Sequence, residues 1–416
     1  MADHWIDSTV GEQATLQRGI DITRVEQRAG TVPVISSGGV SSYHDTPAAR
    51  GPGVVLGRKG VVGSVYFVPS DYWPHDTTLW VKDFHGNDAR FVYYFFRWIA
   101  PRIATMDVGS ANPTLNRNHV HPIAVRWPPP PQQRAIAGIL GALDDRIELN
   151  RRSNETLEAM ARAIFKSWFV DLDPVRTKAK GRQPAGMDAE TAALFPDSFE
   201  ESGRAATPLG WRTRTVSEVC EGIFSGGTPR TESERYWQGG IPWLSSGETR
   251  SKFIVSTERT ITPAGVAESR TRHAAAGLTV VAGAGQGRTR GQTSMLLCET
   301  YINQSVVALA ADETQVSRTY LFFDLERRYE EFRRISDGHS SRGSLTTRLL
   351  GGLPIVVPER RVIEAFDALA KPLTSRIATA LRENQSLVAL RDALLPKLLS
   401  GEVRVNDGES ILSGPA

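Results

Sequence analysis

Two stretches of this chain that lie far apart are versions of one another. RIELNRRSNETL (Arg146–Leu157) aligns without a gap on RIATALRENQSL (Arg376–Leu387) at an offset of 230, with Arg146, Ile147, Asn154 and Leu157 recurring as Arg376, Ile377, Asn384 and Leu387. Nearer the start, VPVISSGG (Val32–Gly39) matches IPWLSSGE (Ile241–Glu248) at offset 209, and Trp5, Thr9, Val10 and Glu12 match Trp211, Thr215, Val216 and Glu218 at offset 206. The matches keep their order, and an offset that grows along the chain is what loop insertions in a second copy produce. A chain built this way folds as two similar halves and offers two similar faces to something that itself has two parts.

With 416 residues there is room for two or three domains, each burying its own core. Hydrophobic content of 40% and charged content of 23% exclude a disordered chain. The net charge of +3 is compatible with nucleic acid without requiring it, because a local patch matters more than the total. Cys220 and Cys298 give neither a disulfide framework nor a metal spacing and favour a reducing compartment. The start of the sequence has no apolar run of signal-peptide length, and no stretch reaches the roughly 18 apolar residues of a membrane span. A cytoplasmic location is expected.

Residues 1–128 are Gly-rich and β-branched, with short apolar runs such as Gly53–Gly57 and Val61–Val68 between turn signals, the pattern of a mixed domain with many short strands. Within them Phe91–Met106 has the character of a buried helix, interrupted or bent at Pro101. The prolines Pro128–Pro131 close this domain, and the period then changes. Ile136, Leu140, Leu143, Ile147, Asn150, Asn154, Leu157, Ala161, Ile164 and Trp168 follow the alternating fours and threes of a helix seam, and Ile363, Phe366, Ala370, Leu373, Ile377, Asn384, Leu387 and Leu394 repeat a similar rhythm. Each such segment would extend about 60 Å as a continuous helix.

The expected fold is α+β: two duplicated mixed α/β domains separated by two long antiparallel helices that form a coiled-coil spacer with pseudo-twofold symmetry. The boundaries are 1–128 for the first domain, 129–170 for the first helix, 171–207 for a surface linker with a short helix near Asp188–Leu194, 208–357 for the second domain, 358–402 for the second helix and 403–416 for a polar tail. Antiparallel pairing is favoured because each domain precedes its own helix, so a parallel pair would crowd both domains at one end.

Catalytic motifs are missing from the sequence. There is no phosphate-binding GxxxxGK[ST], no HExxH, no CxxC and no GxSxG. Gly283–Gly287 is glycine-rich but lacks the Lys-Ser or Lys-Thr that follows in a phosphate loop, His119 and His121 lack an acidic or Cys companion at ligand spacing, and Asp71, His75 and Asp76 read as turn residues. Nucleic-acid binding has more to work with. Arg58 and Lys59 sit between glycines, and Arg288 and Arg290 lie in a comparable place in the second copy. Arginine can hydrogen-bond guanine bidentately and glycine lets the backbone come close, while a solvated turn is the alternative for each residue. The polar runs GSANPTLNRN (Gly109–Asn118) and HSSRGSLTTR (His339–Arg348) add Ser110, Asn112, Thr114, Asn116, Arg117, Ser340, Arg342, Ser344, Thr346 and Arg348 as candidates for base or phosphate contacts, although such runs also suit ordinary loops.

With these duplicated domains, the helix start PPPPQQRAIAGILGALDDRIELN, the run FKSWFVDLDPVRTKAKG (Phe165–Gly181) and the terminus LLPKLLSGEVRV (Leu394–Val405), the chain resembles the specificity subunit of type I restriction-modification systems over residues 1–402. The resemblance implies that each variable domain is a target recognition domain reading one half of a split DNA sequence. It implies that the helices are a spacer docking two modification subunits, which are adenine methyltransferases using S-adenosylmethionine. A restriction subunit, an ATP-driven and Mg-dependent translocase and nuclease, joins that complex. This chain would then bind no cofactor or metal and catalyse nothing, serving phage defence through its partners. The alternatives are the recognition subunit of a methylation-only or related defence system, and a coiled-coil protein adaptor.

Overall fold

The Thr9–Glu12 and Thr215–Glu218 matches are one local device used twice. In each, the carboxylate reaches back to accept from the threonine N–H, at 2.8 Å and 2.6 Å, and closes the first turn of a short helical segment, Val10–Gln13 or Val216–Val219. The protein is described by a computed structural model covering residues 5–106, 114–202, 205–285, 287–339 and 344–405. It forms two units, Met1–Leu149 with Asn384–Ala416, and Asn150–Glu383. Two long helices, Pro130–Phe169 and Arg360–Ser400, each contribute one part to each unit.

In the first unit the chain runs through β1 (Ile6–Thr9), β2 (Thr15–Arg18), β3 (Val32–Ser36), β4 (Gly39–His44), β5 (Gly53–Gly57), β6 (Val65–Val68), β7 (Trp73–Pro74), β8 (Thr78–Asp83) and β9 (Ala124–Trp127). The main sheet has the order β2-β8-β5-β6, a smaller sheet β4-β3-β7 includes the parallel pair β3 and β7, and β1 pairs antiparallel with β9. Val54, Val55 and Leu56 on β5 are wholly buried, as an unbroken apolar run requires of a central strand. The helix Ala89–Ala104 starts where the Asp88 side chain accepts from Phe91 N–H at 2.8 Å, and its Phe91, Phe95, Ile99 and Ile103 share a core with Leu16, Val54, Leu56 and Leu79. This helix runs through Pro101 instead of breaking there, because the proline sits in its last turn and removes only a terminal hydrogen bond.

In the second unit β10 (Phe199–Ser202) and β11 (Ala205–Pro208) form a hairpin, followed by β12 (Arg212–Thr215), β13 (Cys220–Ser225), β14 (Trp237–Leu244), β15 (Phe253–Ile254), β16 (Arg259–Ile261), β17 (Arg272–Ala274), β18 (Thr279–Ala282), β19 (Thr293–Leu296), β20 (Thr300–Ile302), β21 (Val306–Ala311) and β22 (Pro354–Val357). The sheet orders are β13-β21-β18-β19-β15 and β16-β14-β20-β17, with β12 paired to β22. These repeat the first unit with one strand added to each sheet: β15 extends the counterpart of β2-β8-β5-β6, and β17 extends the counterpart of β4-β3-β7. The added strands supply the insertions inferred from the growing offset. The helix Ala89–Ala104 of the first unit is replaced by Arg318–Glu326 and Tyr329–His339.

Each unit pairs its portions of the long helices antiparallel. In the first, Ile136, Leu140 and Leu143 share a core with Leu394, Leu395, Leu398 and Leu399; Arg391 bonds Asp144 at 2.7 Å, and Asn384 donates to Ile147 O at 3.4 Å. In the second, Asn150 donates to Glu383 at 2.9 Å, while Phe165 meets Phe366 with ring centroids 5.5 Å apart beside buried Ile363 and Ile377. Leu157, Ile164 and Leu373 pack there half-buried, as Leu387 does in the first unit. The buried stripe is wider than the seam read from the sequence, because Phe165 and Phe169 also face Tyr320, Phe323 and Trp211 of the globular part. Residues 171–207 likewise do more than connect: Val175 and Phe195 are buried in the second unit's core, and Asp188 caps the helix Ala189–Ala193 through Thr191 N–H at 2.8 Å.

Candidate DNA interface

Four connections meet in each unit, tied by the same main-chain hydrogen bonds. In the first unit the Thr77 carbonyl accepts from the N–H groups of Arg58 (2.9 Å) and Lys59 (3.1 Å), and the Arg58 carbonyl accepts from Leu115 N–H (2.9 Å). In the second the Ser305 carbonyl accepts from Gly283 (2.8 Å) and Ala284 (3.3 Å), and the Gly283 carbonyl accepts from Leu345 N–H (2.7 Å). A fourth segment joins where Ile20 N–H donates to Pro74 O (2.7 Å) and Gly227 N–H to Ile302 O (3.2 Å). The residue before each is a glycine of necessity: a Cβ on Gly19 would lie 2.0 Å from His75 O, and one on Gly226 1.9 Å from Ile302 O.

This scaffold carries different side chains in the two units. In the first, Asp76 is the hub, with Arg18 at 3.0 Å, His75 at 3.2 Å and Lys59 at 3.7 Å, while Arg58 Nη1 donates to the Asp76 carbonyl at 3.4 Å. Burial opposes ionisation of Asp76, but the Arg18 hydrogen bond and the charges of His75, Lys59 and Arg18 outweigh it and hold the carboxyl below its ordinary range. Partial burial, and then the neighbouring Arg18, lower the Arg58 pKa from its usual value. Asp21 completes a trio with His75 and Asp76 whose ligand atoms lie within 4.8 Å of one another, yet Arg18 and Lys59 already neutralise Asp76 and compete with any cation there. In the second unit the corresponding pair is neutral: the Thr228 hydroxyl donates to exposed Gln304, and Asn303 accepts from Ser305 N–H at 3.0 Å.

The candidates from the sequence distribute unevenly over this frame. Arg58 and Lys59 lie in it, but their counterparts by hydrogen bonding are Gly283 and Ala284; Arg288 and Arg290 fall later in the same loop, which is longer in the second unit. Arg288 is exposed. Arg290 is mostly covered, with its side chain 12% exposed and ion-paired to Asp337, an arrangement that orients the loop. Thr114 bridges to Lys59, and Asn116 and Thr346, offset by 230, are helix N-caps accepting from Asn118 N–H (3.0 Å) and Leu349 N–H (3.2 Å). Arg117 and Arg348 are exposed on the first turns of those helices, and Ser344 is half-buried before Leu345. Ser110, Asn112, Ser340 and Arg342 lie outside the described residues.

Sequence reading took His75 and Asp76 as turn residues only, and gave no role to Gly19–Asp21, Gly226–Thr228 and Asn303–Ser305, which complete the frame with them. The paired glycines Gly19 and Gly226 were the available signal. It also left His121 without a role. Its Nε2 accepts from Leu16 N–H at 2.9 Å, which requires the neutral ring, and burial, with Arg117 adding, lowers its pKa. Gly351 stands at the equivalent position, and there a surface groove opens between Cys220, Ile223 and Arg348. Burial pushes the Cys220 thiol up to about 12, so it stays protonated.

Among known proteins, the sequence model of the family described as "Type I restriction modification DNA specificity domain" matches residues 3–159. The type I restriction enzyme HindI specificity subunit of Haemophilus influenzae is 26% identical over 332 residues, covering 70% of this chain and 71% of that protein. The MjaIX specificity subunit of Methanocaldococcus jannaschii is 21% identical over 330 residues, covering 77% and 71% respectively. In fold, the crystal structure of the type I restriction-modification system S subunit from M. genitalium superposes with a TM-score of 0.65 at 15% identity, covering 95% of this chain and 96% of that one. The doubled loop frame thus sits on a fold already seen in such a subunit, and residues 3–159 match the type I restriction-modification DNA specificity domain.

Proposed function

We propose that this chain is the non-catalytic DNA-recognition subunit of a type I restriction-modification complex and that each unit reads one half of a split DNA target. The observation that carries the reading is the loop frame built twice with the same main-chain bonds and different side chains. Common hydrogen bonds hold loops in one geometry, and different side chains in that geometry select different bases. Arg58, Lys59 and the Asp76 hub serve the first half-site, and Arg288, Gln304 and Arg348 serve the second. The partners are two modification subunits, which bind S-adenosylmethionine and methylate adenine, and restriction subunits, which use ATP and Mg. No helix of the described residues is long and apolar enough to cross a membrane, in keeping with work on DNA in the cytoplasm.

The test is exchange of residues 1–128 for the corresponding domain of a relative, assembly with the modification subunits, and methylome sequencing. One half of the methylated motif should change and the other persist; a change in both halves with assembly preserved refutes independent reading. Purified without partners, the chain should transfer no methyl group from S-adenosylmethionine to DNA.

A further inference from the structure

The smaller sheet of the second unit carries arginines that the recognition frame does not use. Arg259 on edge strand β16 is exposed, and its guanidinium lies 3.6 Å from the centroid of the Trp237 ring and 5.5 Å from that of Trp243. Arg272 on the opposite edge strand, β17, is exposed and sits 4.3 Å over the Phe224 ring. Segment 226–230 runs from one to the other. A Cβ on Gly227 would touch Arg270 and one on Gly226 would lie 3.0 Å from Arg272 N, while the Trp243 indole donates to Gly227 O (3.4 Å) and the Trp237 indole to Arg230 O (3.1 Å). Exposed Arg230 and Arg270 are thereby set between the two stacked arginines.

Their charge balance separates them from the arginines nearby. Arg235 is ion-paired with Glu268 and Arg250 with Glu258, and His273 lies 3.6 Å from Glu299. Arg259, Arg270 and Arg272 have no carboxylate partner among the described residues, and Arg230 has only the field of Glu232, whose carboxyl is lowered first by its own backbone N–H. Stacking on an indole or phenyl face holds a guanidinium flat with its N–H edge outward, so little freedom remains to lose on binding an anion. Four strands separate by roughly 14 Å from edge to edge, which spans about four base-pair steps at 3.4 Å each.

We infer that Arg259, Arg230, Arg270 and Arg272 form a row that grips the DNA phosphate backbone beside the second half-site without reading bases. This rests on the DNA-recognition reading above, and the row is continuous with that frame through Gly227 and Thr228. Phosphates fit because the row offers several unneutralised cations along a line and no acceptor group.

The experiment measures binding of the full chain, assembled with its modification subunits, to a duplex carrying its methylated motif and to a scrambled duplex, as a function of salt. Arg259→Gln and Arg272→Gln should each flatten the slope of log K against log salt by about 0.9, or about 3.5-fold less affinity lost over a fourfold rise in salt. Both duplexes should be affected alike and the methylated motif unchanged, and Arg259→Lys should retain the wild-type slope. Unchanged slopes in both glutamine variants overturn the proposal, as does an altered motif, which would mean base contact. A wild-type complex that fails to distinguish the two duplexes overturns the recognition reading and this proposal with it, whereas normal wild-type discrimination with unchanged variant slopes removes the arginine row alone.

Discussion

Glu326 is the point at which one charge reversal should loosen the second unit. Its side chain, 10% exposed, ends the helix Arg318–Glu326 between Lys252 and Arg162, each 3.0 Å away. In the first unit the inverse of the Glu326–Arg162 pair is Arg97 with Asp392 at 3.9 Å, Asp392 lying 230 positions after Arg162. Each contact at 3.0 Å has a gross attraction of about 5.5 kcal/mol at an effective dielectric near 20. Desolvation cancels most of that, and Arg162, 42% exposed, is screened so that its pair is worth under about 1 kcal/mol. Lys252, 22% exposed, is better sheltered, and stranding it costs about 2–3 kcal/mol before any repulsion is added. Glu326→Arg should therefore destabilise the unit by about 4 kcal/mol and lower its melting temperature by about 8–16 °C at 2–4 °C per kcal/mol. Adding Arg162→Glu should restore part of this, with a coupling of at least about 1 kcal/mol in a double-mutant cycle; Lys252 still faces the new arginine, so recovery stays incomplete. Calorimetry and urea unfolding of the four proteins read this directly. A loss below about 1 kcal/mol, or additivity of the two changes, would refute the argument that these positions are electrostatically matched.

Two further expectations concern single side chains. Arg58→Ala or Arg288→Ala should weaken binding to the specific duplex by about 1–3 kcal/mol where the residue makes a bidentate base contact, and an unchanged affinity in a titration assigns that residue to a solvated turn. His121 has its folded pKa lowered below the reference 6.5, so the unfolded chain takes up its proton first on acidification. Its stabilising contribution is therefore present above that pH and lost as pH falls below it toward the folded value. Wild type should lose more stability across that window than His121→Ala, measured by denaturant unfolding at a series of pH values, and parallel profiles would exclude the neutral-acceptor role.

The parts of this fold legible in the sequence are those whose chemistry is local. A threonine followed three residues later by glutamate is a complete helix start within four residues, so Thr9–Glu12 and Thr215–Glu218 announced the duplication. The long helices were legible for the same reason, since their apolar stripe repeats every turn. Residues that depend on pairing between distant strands were not. Arg259 meets Trp237 only because β16 folds back on β14, and neighbours 22 positions apart leave no periodic trace. The apparent match of Arg58 with Arg288 failed as an equivalence because the second loop is longer, and only the hydrogen bonds to Thr77 and Ser305 reveal that Gly283 is the true counterpart.

That failure bears on how such a chain can change its target. Carbonyls and N–H groups hold the frame, and glycines are required where backbones touch, at Gly19 and Gly226. The side chains attached to it, Arg58 against Gly283 and Asp76 against Gln304, differ without disturbing a single one of those main-chain bonds. A position whose side chain carries no structural bond can be substituted at little cost to folding, whereas Arg290, paired to Asp337, and the capping Asn116 and Thr346 cannot. Variation that alters the base read should therefore concentrate at positions such as 288 and 348, which are exposed and outside these bonds, and two of the polar residues that sequence reading offered as contacts, Asn116 and Thr346, should prove the least free to vary.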